Sequence, residues 1–172
     1  MIQENDKKKN KITAVIQARL NSTRFKNKIL KKIKGKEVIK ILIERLKLSK
    51  EINDIIVAIP NTRSNDSLEL FLKKNNINVF RGSEKNVLKR FLECSRKNNI
   101  NNIVRITSDC PLIDPKILDK MAREFKKNNL DYFSNIQERT FPDGMDIEFI
   151  KKETLEKSYK KVIYDYDKEN VT

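Results

Sequence analysis

Asp109 is the acidic residue of this sequence that is best placed for chemistry. It follows residues 103–106 (IVRI), an apolar run that predicts a buried strand. Open α/β sheets bind their ligands just beyond the carboxyl ends of their strands. A carboxylate at that position suits a hard divalent cation such as Mg²⁺. The alternative role for Asp109 is to cap the next helix, but Asp114, immediately before Pro115, is better placed for that task.

A basic loop follows the first predicted strand. Residues 12–16 (ITAVI) are apolar. The loop after them, residues 17–28, carries four cationic side chains: Arg19, Arg24, Lys26 and Lys28. Such side chains bind phosphate oxygens, so the loop favours an anionic ligand. A solvated basic turn between two elements is the alternative interpretation.

The residue types that are absent narrow the chemistry. The chain has 172 residues, with no histidine and two cysteines. Histidine-based acid–base catalysis and histidine-ligated metals are therefore excluded, which leaves carboxylates, lysines, hydroxyls and bound water. Cys94 and Cys110 are too few for a cysteine zinc site or a disulfide framework, so we expect two reduced thiols.

The net charge of +14 raises the question of a nucleic-acid partner. The lysines are, however, dispersed among asparagines and isoleucines, aromatic residues are sparse, and no nucleic-acid module is recognisable. We therefore expect no nucleic-acid partner, although the charge helps to attract a nucleotide triphosphate.

The chain shows no signature of a membrane protein. It contains no apolar stretch of transmembrane length, and residues 1–11 are charged and lack the apolar segment of a secretory signal. We expect a cytoplasmic protein without a membrane partner.

The elements that must position these residues alternate along the chain. Strands are predicted at residues 12–17, 54–59, 77–80, 102–106 and 130–134. Helices are predicted at residues 38–48, 68–74, 87–96, 115–127 and 154–163. This order predicts an α/β fold, a Rossmann-like three-layer α/β/α sandwich with a mostly parallel sheet. The loops that leave the strand ends should then converge on one edge of the sheet.

Four segments in register resemble the SpsF-like cytidylyltransferases. They are residues 16–28 (IQARLNSTRFKNK), 80–91 (FRGSEKNVLKRF), 108–115 (SDCPLIDP) and 139–148 (RTFPDGMDIE). The family comprises spore-coat polysaccharide and acylneuraminate-type enzymes, related to the CMP-Kdo and CMP-sialate synthetases. The resemblance spans residues 12–172 and implies a fold of the nucleotide-diphospho-sugar transferase type.

The resemblance implies a role for each candidate residue. The nucleotide would contact the first loop and the turn after Phe80, through Ala18, Arg19, Ser22, Thr23, Arg24, Lys28, Arg81, Gly82 and Ser83. The acceptor sugar would contact the last segment, through Arg139, Asp143, Asp146 and Glu148. The catalytic residues would be Arg19, Lys28 and Asp109, with Asp109 binding Mg²⁺. A tight turn with a surface arginine and a charged hairpin are the structural alternatives for the second and last segments.

The first loop departs from the family at one point. Relatives usually carry Leu-Pro-Gly-Lys where this chain has Phe25, Lys26, Asn27 and Lys28. Asparagine tolerates positive φ better than most residues, so we expect Asn27 to replace the glycine.

The resemblance implies that CTP and a sugar acid give a CMP-sugar and pyrophosphate, for surface polysaccharide biosynthesis. One alternative is a nucleotidyltransferase acting on a sugar phosphate or another alcohol, although the usual glycine-rich first loop of such enzymes is absent. A non-catalytic nucleotide-binding module is the other alternative.

The expected organisation is a flexible charged N-terminus at residues 1–11 and one nucleotidyltransferase domain at residues 12–172. Family members continue beyond the segment that residues 167–172 resemble, so the domain is expected to be truncated at its C-terminus. A truncated protein, a fragmentary gene product and a short divergent copy all stay open, as does a homodimer.

Overall fold

A six-stranded sheet forms the centre of the protein. The computed structural model describes residues 10–21, 25–138 and 140–162. The strands in chain order are β1 (Ile12–Gln17), β2 (Lys32–Ile33), β3 (Lys36–Glu37), β4 (Ile52–Pro60), β5 (Asn78–Gly82), β6 (Asn102–Thr107), β7 (Tyr132–Ser134) and β8 (Glu148–Lys151). The helices are α1 (Val38–Leu46), α2 (Asp66–Lys74), α3 (Val87–Lys97), α4 (Pro115–Lys127) and α5 (Lys152–Lys161).

The central sheet is mostly parallel, as the alternation of elements predicts. Its spatial order is β5-β4-β1-β6-β8-β7. Strands β5, β4, β1 and β6 run parallel, whereas β8 runs antiparallel to β6 and to β7. A separate two-stranded hairpin joins β2 to β3.

Helices cover both faces of the sheet. Ala14 and Ile16 of β1 belong to the apolar core that contains α1, α2 and α4, while Val15 belongs to the core that contains α3 and α5. Successive strand residues point to opposite faces, so these two cores lie on opposite sides of the sheet. The Rossmann-like three-layer α/β/α sandwich is confirmed.

The sequence pattern missed strand β8. The strand has four residues and begins with a buried charged residue, Glu148, which hides its apolar pattern. Its pairing with β7 places the end of the fourth sequence segment inside the sheet, so that this segment is not only a surface hairpin.

The predicted N-cap of α4 is confirmed. The Asp114 side chain accepts hydrogen bonds from the backbone N–H groups of Lys116 (2.7 Å) and Ile117 (3.4 Å), with Pro115 in the first turn of α4. Both cysteines are free and buried. In the part of the chain that the structure describes, no helix combines the length and apolarity needed to cross a membrane.

Candidate active site

The predicted site loops meet at one edge of the sheet, where the four parallel strands end. Hydrogen bonds between neighbouring strands hold them there. The Ala18 N–H donates to the Ala58 carbonyl (3.2 Å), and the Ser108 N–H donates to the Gln17 carbonyl (3.0 Å). The loops after β1, β4 and β6 therefore start side by side.

The first loop is shaped by two asparagines. Asn27 has φ 56°, the left-handed conformation expected of a residue that replaces glycine, and its N–H donates to the Leu20 carbonyl (3.2 Å). Asn65, which is buried, accepts a hydrogen bond from the Leu20 N–H (3.0 Å). Sequence reasoning missed Asn65, because an asparagine immediately before a helix is typical of an N-cap. Its side chain makes no cap hydrogen bond and holds the first loop instead.

Lys28 and Asp109 form an ion pair across this edge, although they lie 81 residues apart in the chain. Lys28 starts a short 3-10 turn that follows Asn27. Burial opposes the charge of Asp109, but the hydrogen bond and charge of Lys28 and a hydrogen bond from Thr107 outweigh it, so the pKa of Asp109 lies below its ordinary value. The carboxylate is ionised at neutral pH and has a cation beside it.

The described residues alone do not supply a complete ligand set for a divalent cation at this edge. No cluster of three or more Asp, Glu, His or Cys side chains exists among the described residues. Burial raises the pKa of Cys110, and the charges of Asp109 and Asp146 raise it further, so both carboxylates lie near this thiol. One or two carboxylates completed by phosphate oxygens and water form a ligand set that Mg²⁺ accepts.

Arg81 lies inside β5, because the strand continues to Gly82 instead of ending at residue 80 as predicted, and its side chain is turned toward α2. The Arg81 guanidinium donates to the carboxylates of Asp66 (2.7 Å) and Glu69 (2.5 Å) and to the Thr62 carbonyl (2.8 Å). The Arg81 side chain thus anchors α2 to the sheet. A contact between Arg81 and a nucleotide stays a prediction.

The next two residues, Gly82 at the end of β5 and Ser83 after it, contact Arg90 of α3. A Cβ on Gly82 would lie 2.8 Å from Cγ of Arg90 and 2.9 Å from a ring carbon of Phe80, so the position excludes any larger residue. The Ser83 carbonyl accepts a hydrogen bond from Nη1 of Arg90 (2.7 Å). Arg90 lies in one of the resembling segments, but sequence reasoning assigned it no role.

The predicted acceptor residues occupy two environments. Asp143 is exposed and Asp146 half-buried. Glu148 is buried, pairs with Arg105 of β6, and accepts a hydrogen bond from the Tyr132 hydroxyl (3.1 Å). The charge of Asp146 acts on the Cys110 thiol as that of Asp109 does, so Asp146 lies near these two residues, whereas the Glu148 carboxylate is held inside the sheet.

Four predicted residues lie outside the described part of the chain: Ser22, Thr23, Arg24 and Arg139. Ala18 is buried at the end of β1, and the neighbouring Arg19 is exposed. Among the described residues, Arg19 makes no ion pair, which leaves its guanidinium available to a ligand.

Comparisons with known sequences indicate the same family that the four sequence segments resemble. A sequence model of the family described as Cytidylyltransferase matches residues 13–170. The uncharacterized protein MJ1063 of Methanocaldococcus jannaschii is 40% identical over 162 residues, which cover 94% of this chain and 65% of that protein. The spore coat polysaccharide biosynthesis protein SpsF of Bacillus subtilis is 34% identical over 127 residues, covering 72% of this chain and 53% of that protein. A 3-deoxy-manno-octulosonate cytidylyltransferase of Geotalea daltonii is 32% identical over 110 residues, covering 64% and 43%.

A solved structure of a cytidylyltransferase from Leptospira borgpetersenii is similar throughout the described fold. It has a TM-score of 0.89 and 38% identity, with 94% of this chain and 68% of that chain covered. This chain spans 65% and 53% of the lengths of the first two curated relatives. These matches confirm the resemblance that the four segments indicate.

Proposed function

This chain belongs to the cytidylyltransferase family, and on that premise we propose that it transfers a cytidylyl group from CTP to a sugar acid, giving a CMP-sugar and pyrophosphate. Surface polysaccharide biosynthesis is the proposed setting. The name of one relative, a spore coat polysaccharide biosynthesis protein, supports this setting. The name of another, a 3-deoxy-manno-octulosonate cytidylyltransferase, supports a sugar acid as the acceptor.

The Lys28–Asp109 contact is the observation that supports this function best. It joins a cation of the first loop to a carboxylate at the end of β6, where an open α/β sheet binds its ligand. A triphosphate needs cations around it, and a hard metal ion needs a carboxylate. The edge offers both groups in direct contact.

In the proposed reaction, the acceptor hydroxyl oxygen bonds to the α-phosphorus of CTP while the bond to the leaving pyrophosphate oxygen breaks. The hydroxyl proton passes to water, and no covalent intermediate with the protein is needed. Arg19 and Lys28 bind triphosphate oxygens and stabilise the negative charge that develops on the leaving group. Asp109, with phosphate oxygens, would hold Mg²⁺, which supplies further charge neutralisation when bound.

The decisive experiment measures pyrophosphate release from CTP and Mg²⁺ with a panel of sugar acids that includes 3-deoxy-manno-octulosonate, and with sugar phosphates in parallel. We expect release only with a sugar acid. Release with sugar phosphates alone would favour the other class of nucleotidyltransferase. CTP binding without any release would favour a nucleotide-binding module.

A matched pair of variants tests the role of Asp109. Asp109→Asn removes the charge but keeps the shape, so we expect it to stay folded and lose most of the turnover. Asp131→Asn is the control, because Asp131 also pairs with a lysine, Lys151 (3.0 Å), at the opposite edge of the sheet. Normal Mg²⁺-dependent turnover in Asp109→Asn would refute the assignment.

A further inference from the structure

Arg90 has a buried guanidinium, which pairs with no carboxylate of the described residues. Its side chain is 2% exposed, and its one hydrogen bond within the described residues goes to the Ser83 carbonyl. The Nε–H is buried and has no partner there. A buried guanidinium is costly unless it is paired and hydrogen-bonded, so this arrangement calls for a missing acceptor.

Two half-buried arginines of the sheet have carboxylate partners, although the Nε–H of Arg81, like that of Arg90, is buried without a partner among the described residues. Arg105 pairs with Glu148 and donates to the side-chain oxygen of Gln17 (3.0 Å). Arg81 pairs with Asp66 and Glu69. Arg90 differs from both, because no carboxylate of the described residues pairs with its guanidinium.

The surroundings of Arg90 point to an anion at the edge of the sheet where the parallel strands end. Burial and, to a smaller extent, the charge of Arg19 lower the pKa of Arg90 to about 10, while the charge of Glu84 opposes the shift. Arg90 is thus protonated at neutral pH and close enough to Arg19 to be repelled by it. An anion that contacts both guanidinium groups would remove that repulsion and supply the missing acceptor.

We propose that Arg90 binds, together with Arg19, a phosphate group of the nucleotide. The inference rests on the proposed function for the identity of the ligand. The site itself is defined by the Nε–H of Arg90, which has no partner among the described residues, by the exposed Arg19, and by the contacts of Arg90 with Gly82 and Ser83. Arg90 would then join the loop after β1 to the turn after β5 through one ligand.

Inorganic tripolyphosphate is the probe, with binding measured by isothermal titration calorimetry. Arg90→Met removes the charge but keeps an unbranched apolar side chain, and we expect it to weaken tripolyphosphate binding by about tenfold or more. Arg96→Met is the control, because Arg96 lies on the same helix but is exposed and pairs with Glu156 (3.1 Å). We expect the control to change binding less than about twofold.

Cytidine, which has no phosphate, separates an anion site from a base contact. Because Arg90 also contacts Gly82 and Ser83, we expect Arg90→Met to lose some affinity for cytidine, but much less than it loses for tripolyphosphate. An equal loss of affinity for cytidine and for tripolyphosphate in Arg90→Met would overturn the inference. The inference would also fail if the variant bound tripolyphosphate as tightly as the original protein, or if the original protein did not bind tripolyphosphate.

A second measurement needs no folded variant. The Nε–H of Arg90 can be followed by ¹⁵N nuclear magnetic resonance during titration of the unchanged protein with tripolyphosphate. We expect its signal to shift and its exchange with water to slow when the acceptor is supplied. An unmoved signal at saturation would overturn the inference.

Failure of the proposed function gives a different result. Arg90-dependent binding of tripolyphosphate without any pyrophosphate release from CTP would contradict the reaction and leave the anion site standing. Turnover of CTP, together with tripolyphosphate binding that does not depend on Arg90, would support the reaction and contradict the anion site.

Discussion

At the scale of single residues, the charge of Asp109 depends on Lys28. Burial works against the ionised carboxylate, and the lysine reverses that effect, so the folded protein holds the pKa of Asp109 below its ordinary value. A carboxyl group with a lowered pKa contributes stability that is present above its ordinary pKa and is lost as the pH falls through the lowered value.

We therefore expect Asp109→Asn to lower the free energy of unfolding by up to about 1 kcal/mol at neutral pH, because the pair is partly exposed. The difference should vanish in acid, where the aspartate of the unchanged protein is protonated. Urea unfolding across the acid range measures it. Lys28→Gln should add no further loss in the Asp109→Asn background, and an additive loss would show that the pair is not coupled.

Asn27 tests the backbone of the first loop. Alanine tolerates the φ of 56° less well than asparagine, whose short polar side chain can hydrogen-bond locally in this conformation. Asn27→Ala should therefore lose about 1 kcal/mol of stability, whereas Asn27→Gly should lose none. Asn76→Ala is the control, because Asn76 has φ 54° after α2. Both alanine variants should lose similar stability in urea, and only Asn27→Ala should also weaken CTP binding. Equal CTP affinity in the two alanine variants would show that the first loop does not contribute to nucleotide binding.

At the scale of elements, β8 is joined to β6 by a buried ion pair. Glu148→Gln would leave Arg105 inside the sheet without its carboxylate, and we expect a loss of about 3 kcal/mol. Glu156→Gln breaks the more exposed pair with Arg96 and should lose less than about 1 kcal/mol. Thermal and urea unfolding compare the two variants. Similar losses would mean that the Arg105–Glu148 pair adds nothing beyond a surface contact.

The same strand shows where prediction from sequence stops. Helices α3 and α4 and strand β1 follow strong apolar periodicity, and their predicted bounds agree with the structure to within one residue. Strand β8 does not, because Glu148 interrupts its apolar pattern. Asp109 and Lys28 could be placed at one edge because strand ends converge. The roles of Asn65 and Arg90 depend on contacts between distant segments, which no local pattern reveals.

At the scale of the whole molecule, nucleotide binding should be visible as stability. A ligand that binds the folded state raises the melting temperature by mass action. We expect CTP with Mg²⁺ to raise it more than ATP, GTP or UTP at the same concentration. Because a chain of net charge +14 attracts any triphosphate, the series is repeated at raised salt, where general attraction is screened. Equal shifts with all four nucleotides would refute the preference for cytidine.

The central position of β1 has a consequence for synthesis on the ribosome. Its first residue, Ile12, pairs with Ile52 on one side and with Asn102 on the other, so the strand that is made first must wait for partners that are made much later. Such long-range pairing is slow and leaves an apolar segment exposed in the nascent chain. The loop that carries Arg19 and Lys28 takes its place beside Asp109 only after β6 has been made. The Lys28–Asp109 contact thus cannot form until β6 has been made, and a chain released earlier would carry the two cations without the carboxylate.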